Sequence, residues 1–202
     1  LRAPAMSAGI REPVVTSTPE AAGLAGPGPH KALFLDRDGV INVNHGYVHT
    51  PGQTDWVPGI FDLARAARAA GYALVVVTNQ AGIARGYYDE AQFRAYTRWM
   101  HARFEAEGAP IAATYFCPHH PEAGLGELKA ACGCRKPRPG MILAAARRFG
   151  LSLADSALLG DAASDIEAAS AAGVGRAFLL DHGSPAEAFA AAASWMVGLG
   201  KS

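Results

Sequence analysis

At 202 residues, half of them hydrophobic, the chain is long enough for one domain with a substantial core and too short for two ordinary ones. Its 18 basic and 18 acidic residues cancel, so no overall field draws it onto nucleic acid or an anionic membrane, and neither is an expected partner. No stretch reaches the roughly 20 apolar residues that span a bilayer, and the N-terminal region lacks the apolar core of a secretory signal, so the expected location is the cytosol and the expected state a monomer. Three cysteines cannot all pair within the chain, and in a reducing cytosol their grouping points to metal rather than disulfides.

Residues 1–30 are rich in Ala, Pro, Gly, Ser and Thr, with Met6 a candidate start, and end in Gly26-Pro27-Gly28-Pro29, which neither a helix nor a central strand tolerates. They read as a disordered extension ahead of one domain over 31–202. Ala32 to Leu35 is a short apolar run of the kind that forms a buried strand, and a helix is expected from Pro58 to just before Gly71. Tyr72 to Val77, dense in β-branched residues, is the next strand. Asp89 with Gln92 three places on forms a capping-box pattern that opens a helix toward Glu107. Short strands follow at Ala112 to Phe116, Ala157 to Leu159 and Ala177 to Leu180, with helices over 140–149, 164–172 and 185–193. This alternation predicts an α/β fold, a Rossmann-like three-layer sandwich with a central parallel sheet covered on both faces. The stretch from Cys117 to Pro139 fits neither period and reads as a long loop, which in a compact domain is usually functional or stapled.

Asp36-Arg37-Asp38-Gly39 directly follows the first strand, which places both carboxylates at its carboxyl end, where open parallel sheets bind ligands. A lone Asp-x-Asp reads as readily as a polar turn. Here, however, Thr78 follows the second strand, Lys136 precedes a helix in Arg135-Lys136-Pro137, and Asp161 and Asp165 follow a later strand. Acid, hydroxyl, lysine and acid in that order resembles the haloacid dehalogenase superfamily over residues 31–182. The resemblance implies a phosphohydrolase in which Asp36 attacks phosphorus and Asp38 protonates the leaving alkoxide, then deprotonates the hydrolytic water. Thr78 and Lys136 would bind the phosphoryl oxygens. Mg²⁺ would be held by the Asp36 and Asp161 carboxylates and the backbone carbonyl of Asp38, offsetting the repulsion between an anionic nucleophile and a phosphate ester. Asp165 has two readings, a water-mediated metal partner or a helix cap. Arg37 reads as a surface residue and receives no role.

Cys117-Pro118-His119 and Cys132-Gly133-Cys134 gather every cysteine into the long loop with a histidine, four ligands suited to a closed structural zinc site. His120 is a rival ligand, and buried thiols beside an exposed His pair are the metal-free reading. The arrangement, running into Cys-Arg-Lys-Pro, resembles the D-glycero-D-manno-heptose 1,7-bisphosphate 7-phosphatase family, whose relatives include histidinol-phosphate phosphatases. In that reading zinc takes no part in the chemistry and stiffens the loop that presents Arg135 and Lys136.

Asn42 to Val48, Thr78 to Gly86 and Cys117 to Pro121 are similar to the same family. The likeness implies removal of the C7 phosphate of a heptose bisphosphate in nucleotide-activated heptose biosynthesis, with a small phosphorylated sugar in contact with Asn44, His45, Gly46, Tyr47, Asn79, Gln80, Ala81 and Arg135. Asn44 stands where relatives often carry an acid and Ala162 where some carry lysine, departures that leave a changed sugar, anomer or substrate class open; a histidinol-phosphate substrate is the alternative. A nucleic-acid 3′-phosphatase, which needs a basic groove and aromatic platforms, gains little support from the balanced charge, and a noncatalytic zinc-stapled module has no use for Asp38. No insertion is large enough for a separate cap domain, so loops, chiefly 42–52 and the cysteine loop, must shield the site.

Overall fold

The computed structural model describes residues 10–180 and 184–199. Five strands, β1 (Lys31–Leu35), β2 (Tyr72–Asn79), β3 (Ile111–Cys117), β4 (Ala157–Gly160) and β5 (Arg176–Leu179), form one parallel sheet in the order β3-β2-β1-β4-β5. The helices are α1 (Ile60–Ala69), α2 (Ala81–Ala84), α3 (Glu90–Ala106), α4 (Gly140–Phe149), α5 (Ala163–Ala172) and α6 (Pro185–Leu199).

Side chains that alternate along a strand reach opposite faces of the sheet, and here each face meets its own helices. Leu33, Leu35, Leu74, Val76 and Leu159 join Leu63 of α1, Phe104 of α3 and Phe189 and Met196 of α6 in one core. Phe34, Val75, Val77 and Leu158 join Met141 and Ile142 of α4 and Ala168 of α5 in the other. The three-layer expectation is therefore met. Asp89 caps α3 through a reciprocal capping box with Gln92, as its spacing predicts. β2 runs two residues beyond its expected end and α6 extends past 193, while the one-turn α2 lacks any periodic signal. Residues 181–183, beside the expected strand end, lie outside the described residues. No helix among the described residues is long and apolar enough to cross a membrane.

The N-terminal segment differs from expectation. Residues 1–9 lie outside the described residues, but residues 10–30 run against the domain as a strap rather than a free extension. Val14 makes an antiparallel bridge to Thr114 on the open edge of β3, with N···O distances of 3.0 and 2.9 Å. Arg68 donates to the carbonyls of Ala21 and Ala22, and Ala22 is buried. Composition records that this segment lacks a core of its own; an unpaired sheet edge supplies partners instead.

His101 of α3 joins strap and sheet. Its Nδ1 lies 2.7 Å from Thr16 Oγ1 and its Nε2 2.8 Å from Thr114 Oγ1. Burial lowers its pKa from 6.5 to about 4, so the unfolded chain binds the proton more readily than the folded one. Stability from this site is complete above pH 6.5 and falls as pH drops toward 4, by about 2 kcal/mol between pH 7 and pH 5. The expected result is a steeper fall in thermal stability over that range for the native protein than for His101→Gln, measured by calorimetry. Parallel pH profiles would exclude this role.

Candidate active site

The strand order reverses between β1 and β4, and their carboxyl ends form the crevice where α/β sheets take ligands. Leu35 is in register with Leu159, and Asp36 N donates to Leu159 O at 2.9 Å, so Asp36 and Asp161 emerge side by side. Thr78 reaches the same rim from β2. Gly39 turns the loop with φ +87°, and a Cβ there would lie 2.0 Å from Asp161 Oδ2; only glycine admits this approach.

Lys136 arrives from the cysteine loop, almost wholly buried. Its Nζ lies 3.0 Å from Asp36 Oδ1, donates to Val77 O at 2.8 Å, and pairs with Asp165. Asp165 also accepts from Ala162 N at 3.1 Å, capping α5, so of its two sequence readings the cap is observed, joined by an unforeseen lysine pair. Burial is the main cause that raises the Asp36 pKa to about 7; Lys136 opposes it, and Asp165 and Asp38 add to it. Burial, then Asp165, also raises Asp161. Burial alone would lower Lys136, but the flanking carboxylates hold it above its usual value.

Asp36, Asp161 and Asp165 place ligand oxygens within 4.8 Å of one another, with one lysine to balance three acids. Such an all-oxygen, charge-deficient set fits a hard divalent cation. In the cysteine loop, Cys134 Sγ lies 3.1 Å from both Cys117 Sγ and Cys132 Sγ, and His119 Nδ1 lies 3.6 and 3.7 Å from Cys134 and Cys117. Four soft or borderline donors at the corners of a small tetrahedron are compatible with zinc. His120 is turned elsewhere: its Nδ1 accepts from Glu122 N and Ala123 N, so the rival ligand is outside the cluster.

The crevice opens into a cavity of about 430 Å³ whose lining includes Asp36, Asp38, Thr78, Lys136 and Asp161. Asn44, Gly46, Tyr47, Asn79, Gln80 and Ala81 also line it. Two residues expected at the substrate are absent from this wall. His45 pairs instead with Asp55 at 2.7 Å, and the Arg135 guanidinium donates to His119 O at 3.2 Å. Asn79 lines the cavity but spends its amide on the Lys136 backbone, at 3.1 and 3.0 Å. Gln80 donates to Thr78 Oγ1 at 2.8 Å and accepts from the Tyr88 hydroxyl at 2.5 Å.

Arg37, read as a surface residue, is completely buried, and this expectation is corrected. Its guanidinium donates to both Asp38 oxygens, Nη2 lying 2.9 Å from Oδ1 and 2.7 Å from Oδ2, and to Val48 O at 2.6 Å. Tyr96 and Phe93 flank it, with ring centroids 5.3 and 5.8 Å away. An arginine between two acids directly after a buried strand was the available signal. Tyr88 carried none beyond its place after α2.

The order in which successive strand ends supply these groups assigns fold and site to the haloacid dehalogenase-like hydrolases, and a family profile described as HAD-hydrolase-like matches residues 133–194. D-glycero-alpha-D-manno-heptose-1,7-bisphosphate 7-phosphatase from Burkholderia mallei is 55% identical over 75% of this chain and 80% of its own length. The corresponding beta-anomer phosphatase of Vibrio cholerae is 48% identical over 76% and 83%. The structure of D,D-heptose 1,7-bisphosphate phosphatase from B. bronchiseptica, complexed with magnesium and phosphate, matches with a TM-score of 0.64 at 35% identity, covering 72% of this chain and 78% of that one. The chain belongs to the heptose-1,7-bisphosphate 7-phosphatase family, and so to the phosphomonoester hydrolases.

Proposed function

We propose that the protein removes the C7 phosphate of D-glycero-D-manno-heptose 1,7-bisphosphate through an aspartyl-phosphate on Asp36. The observation that carries this reading is the single cavity wall that holds Asp36, Asp38, Thr78, Lys136 and Asp161 together with the Asn44–Tyr47 loop. Its 430 Å³ lies in the range of small-molecule sites. The family relatives named for this reaction support the substrate.

In this mechanism the Asp36 carboxylate attacks phosphorus in line with the departing sugar oxygen. Lys136, held against Asp36, neutralises charge on the phosphoryl oxygens. Thr78 Oγ1 already accepts from Gln80, which leaves its own proton to donate to a phosphoryl oxygen. Asp38 gives its proton to the alkoxide and takes one from the water that releases phosphate and regenerates Asp36. Asp36, Asp161 and the Asp38 carbonyl would hold Mg²⁺, which would supply electrostatic stabilisation of the transferring group. Cys117, His119, Cys132 and Cys134 would hold zinc, which would stiffen the loop that carries Arg135 and Lys136.

The test is kcat/KM for both anomers of the heptose bisphosphate beside histidinol phosphate and simple sugar monophosphates. A preference for a heptose bisphosphate of about 10²-fold or more is expected, since a site built to hydrogen-bond one substrate can reject an analogue by as much as about 10⁴–10⁵. Equal or faster turnover of histidinol phosphate would overturn the substrate assignment. Asp38→Asn is expected to slow sugar-phosphate turnover by about 10²–10⁴-fold while leaving the acid trio in place, and to lower the melting temperature, because Asp38 is the carboxylate paired with the buried Arg37. A loss below tenfold would place the proton donor elsewhere.

A further inference from the structure

We infer that Arg37 is the positioning residue of the acid–base step: it holds the Asp38 carboxylate in one orientation and fastens it to the loop that walls the substrate cavity. The inference rests on the reading of Asp38 as acid and base. Asp38 receives Arg37 Nη2 on both oxygens, Arg37 Nε on Oδ1 at 3.2 Å, Asn42 Nδ2 on Oδ1 at 3.0 Å and Gln80 Nε2 on Oδ2 at 3.4 Å. With donors on both oxygens, the carboxylate has little freedom to rotate about its own bonds. The same Nη2 donates to Val48 O, one residue beyond the Asn44–Tyr47 wall, so one guanidinium joins the acid to the recognition loop.

Arg37 cannot meet the substrate directly. It is completely buried, lies outside the cavity lining, and has Phe93 and Tyr96 along its sides. A charge in that place acts through what it touches, and the one carboxylate its guanidinium meets is Asp38, with Val48 O and the Tyr88 hydroxyl beside it. Lysine cannot replace it fully, because an ammonium lacks the planar fork that serves two carboxylate oxygens and a carbonyl together.

The test compares kcat/KM for a sugar phosphate with that for p-nitrophenyl phosphate in native protein, Arg37→Gln, Arg37→Lys, Asp38→Asn and the Arg37→Gln/Asp38→Asn double variant. kcat/KM covers the steps through leaving-group departure, and p-nitrophenolate departs without a proton, so only the sugar ester needs the acid. Arg37→Gln is expected to lose about 10–100-fold on the sugar phosphate, the range typical of removing an orienting partner, and under threefold on the aryl ester. KM is expected to hold while kcat falls. Arg37→Lys should fall between native and Arg37→Gln, and it carries the same comparison should the glutamine variant fail to fold. In the Asp38→Asn background the Arg37 substitution should cost nothing more on the sugar phosphate, because the acid that it orients is already gone.

Equal losses on both esters, or a further loss in the Asp38→Asn background, would show a structural role and overturn the inference. Asp38→Asn with undiminished sugar-phosphate turnover would instead refute the acid–base reading itself. Asp38→Asn impaired with both Arg37 variants unaffected would refute the role of Arg37 alone.

Discussion

Asp36→Asn is expected to eliminate turnover, by more than about 10³-fold, without unfolding the protein. An amide is a poor nucleophile toward phosphorus, and the substitution removes one of the three oxygens facing the cation position. Stability should move the other way. The Asp36 pKa is raised from 3.8 to about 7, with burial the principal cause, so the folded state favours the protonated carboxyl. Stability from this group is therefore greatest at low pH and declines as pH rises toward 7, where the buried carboxylate ionises. At pH 8 in chelator, the asparagine variant should melt at or above the native temperature, having lost a buried charge, while Lys136 keeps Asp165 as its partner. Activity above about one part in a thousand, in protein free of native contaminant and of deamidation, would reject Asp36 as the nucleophile. A large fall in melting temperature would instead mean that the Lys136–Asp36 pair holds the fold.

The contrast between Asp36 and Arg37 shows what a sequence makes legible. Asp36, Thr78 and Asp161 each follow an apolar run, so their place at strand ends can be read from periodicity alone. That Asp36 and Asp161 are neighbours depends on β4 pairing with β1, a long-range choice no local pattern records. Arg37 sits in a turn, where neither the two-residue nor the 3.6-residue period sets side-chain direction, and its partner at Val48 lies eleven residues on. Asn79 was only half legible for a related reason. Its place beside Thr78 was readable, but its amide is committed to the Lys136 backbone, 57 residues away. The strap over 10–30 escaped because its composition speaks only of its own poor core, whereas the edge it covers belongs to β3. Asp165 was half legible: its spacing after β4 allowed a cap, and only the arrival of Lys136 from the cysteine loop revealed its second bond.

The cysteine loop carries the other large expected effect. If Cys117, His119, Cys132 and Cys134 form a closed site, metal analysis of the purified protein should find about one zinc per chain, and Cys132→Ser should lose it. Between Cys117 and Gly140 the regular structure is confined to the single turn Gly126–Leu128, so the loop has little ladder bonding to hold it. Cys117 ends β3 and Cys134 immediately precedes Arg135 and Lys136; a metal bridging them would tie the catalytic lysine to the sheet. Apparent zinc binding of about 10–16 kcal/mol in small structural sites becomes folding free energy, so loss of one ligand should cost several kcal/mol and lower the melting temperature by ten degrees or more on the order-of-magnitude scale for a domain of this size. Activity should fall less steeply, by roughly 10–100-fold, because Asn79 still clamps the Lys136 backbone and the carboxylates still hold its ammonium. Added magnesium should not restore it, since the acid trio that fits magnesium does not include the cysteine cluster. Zinc-free protein with native melting temperature and full activity would show that the three thiols pack together without a metal.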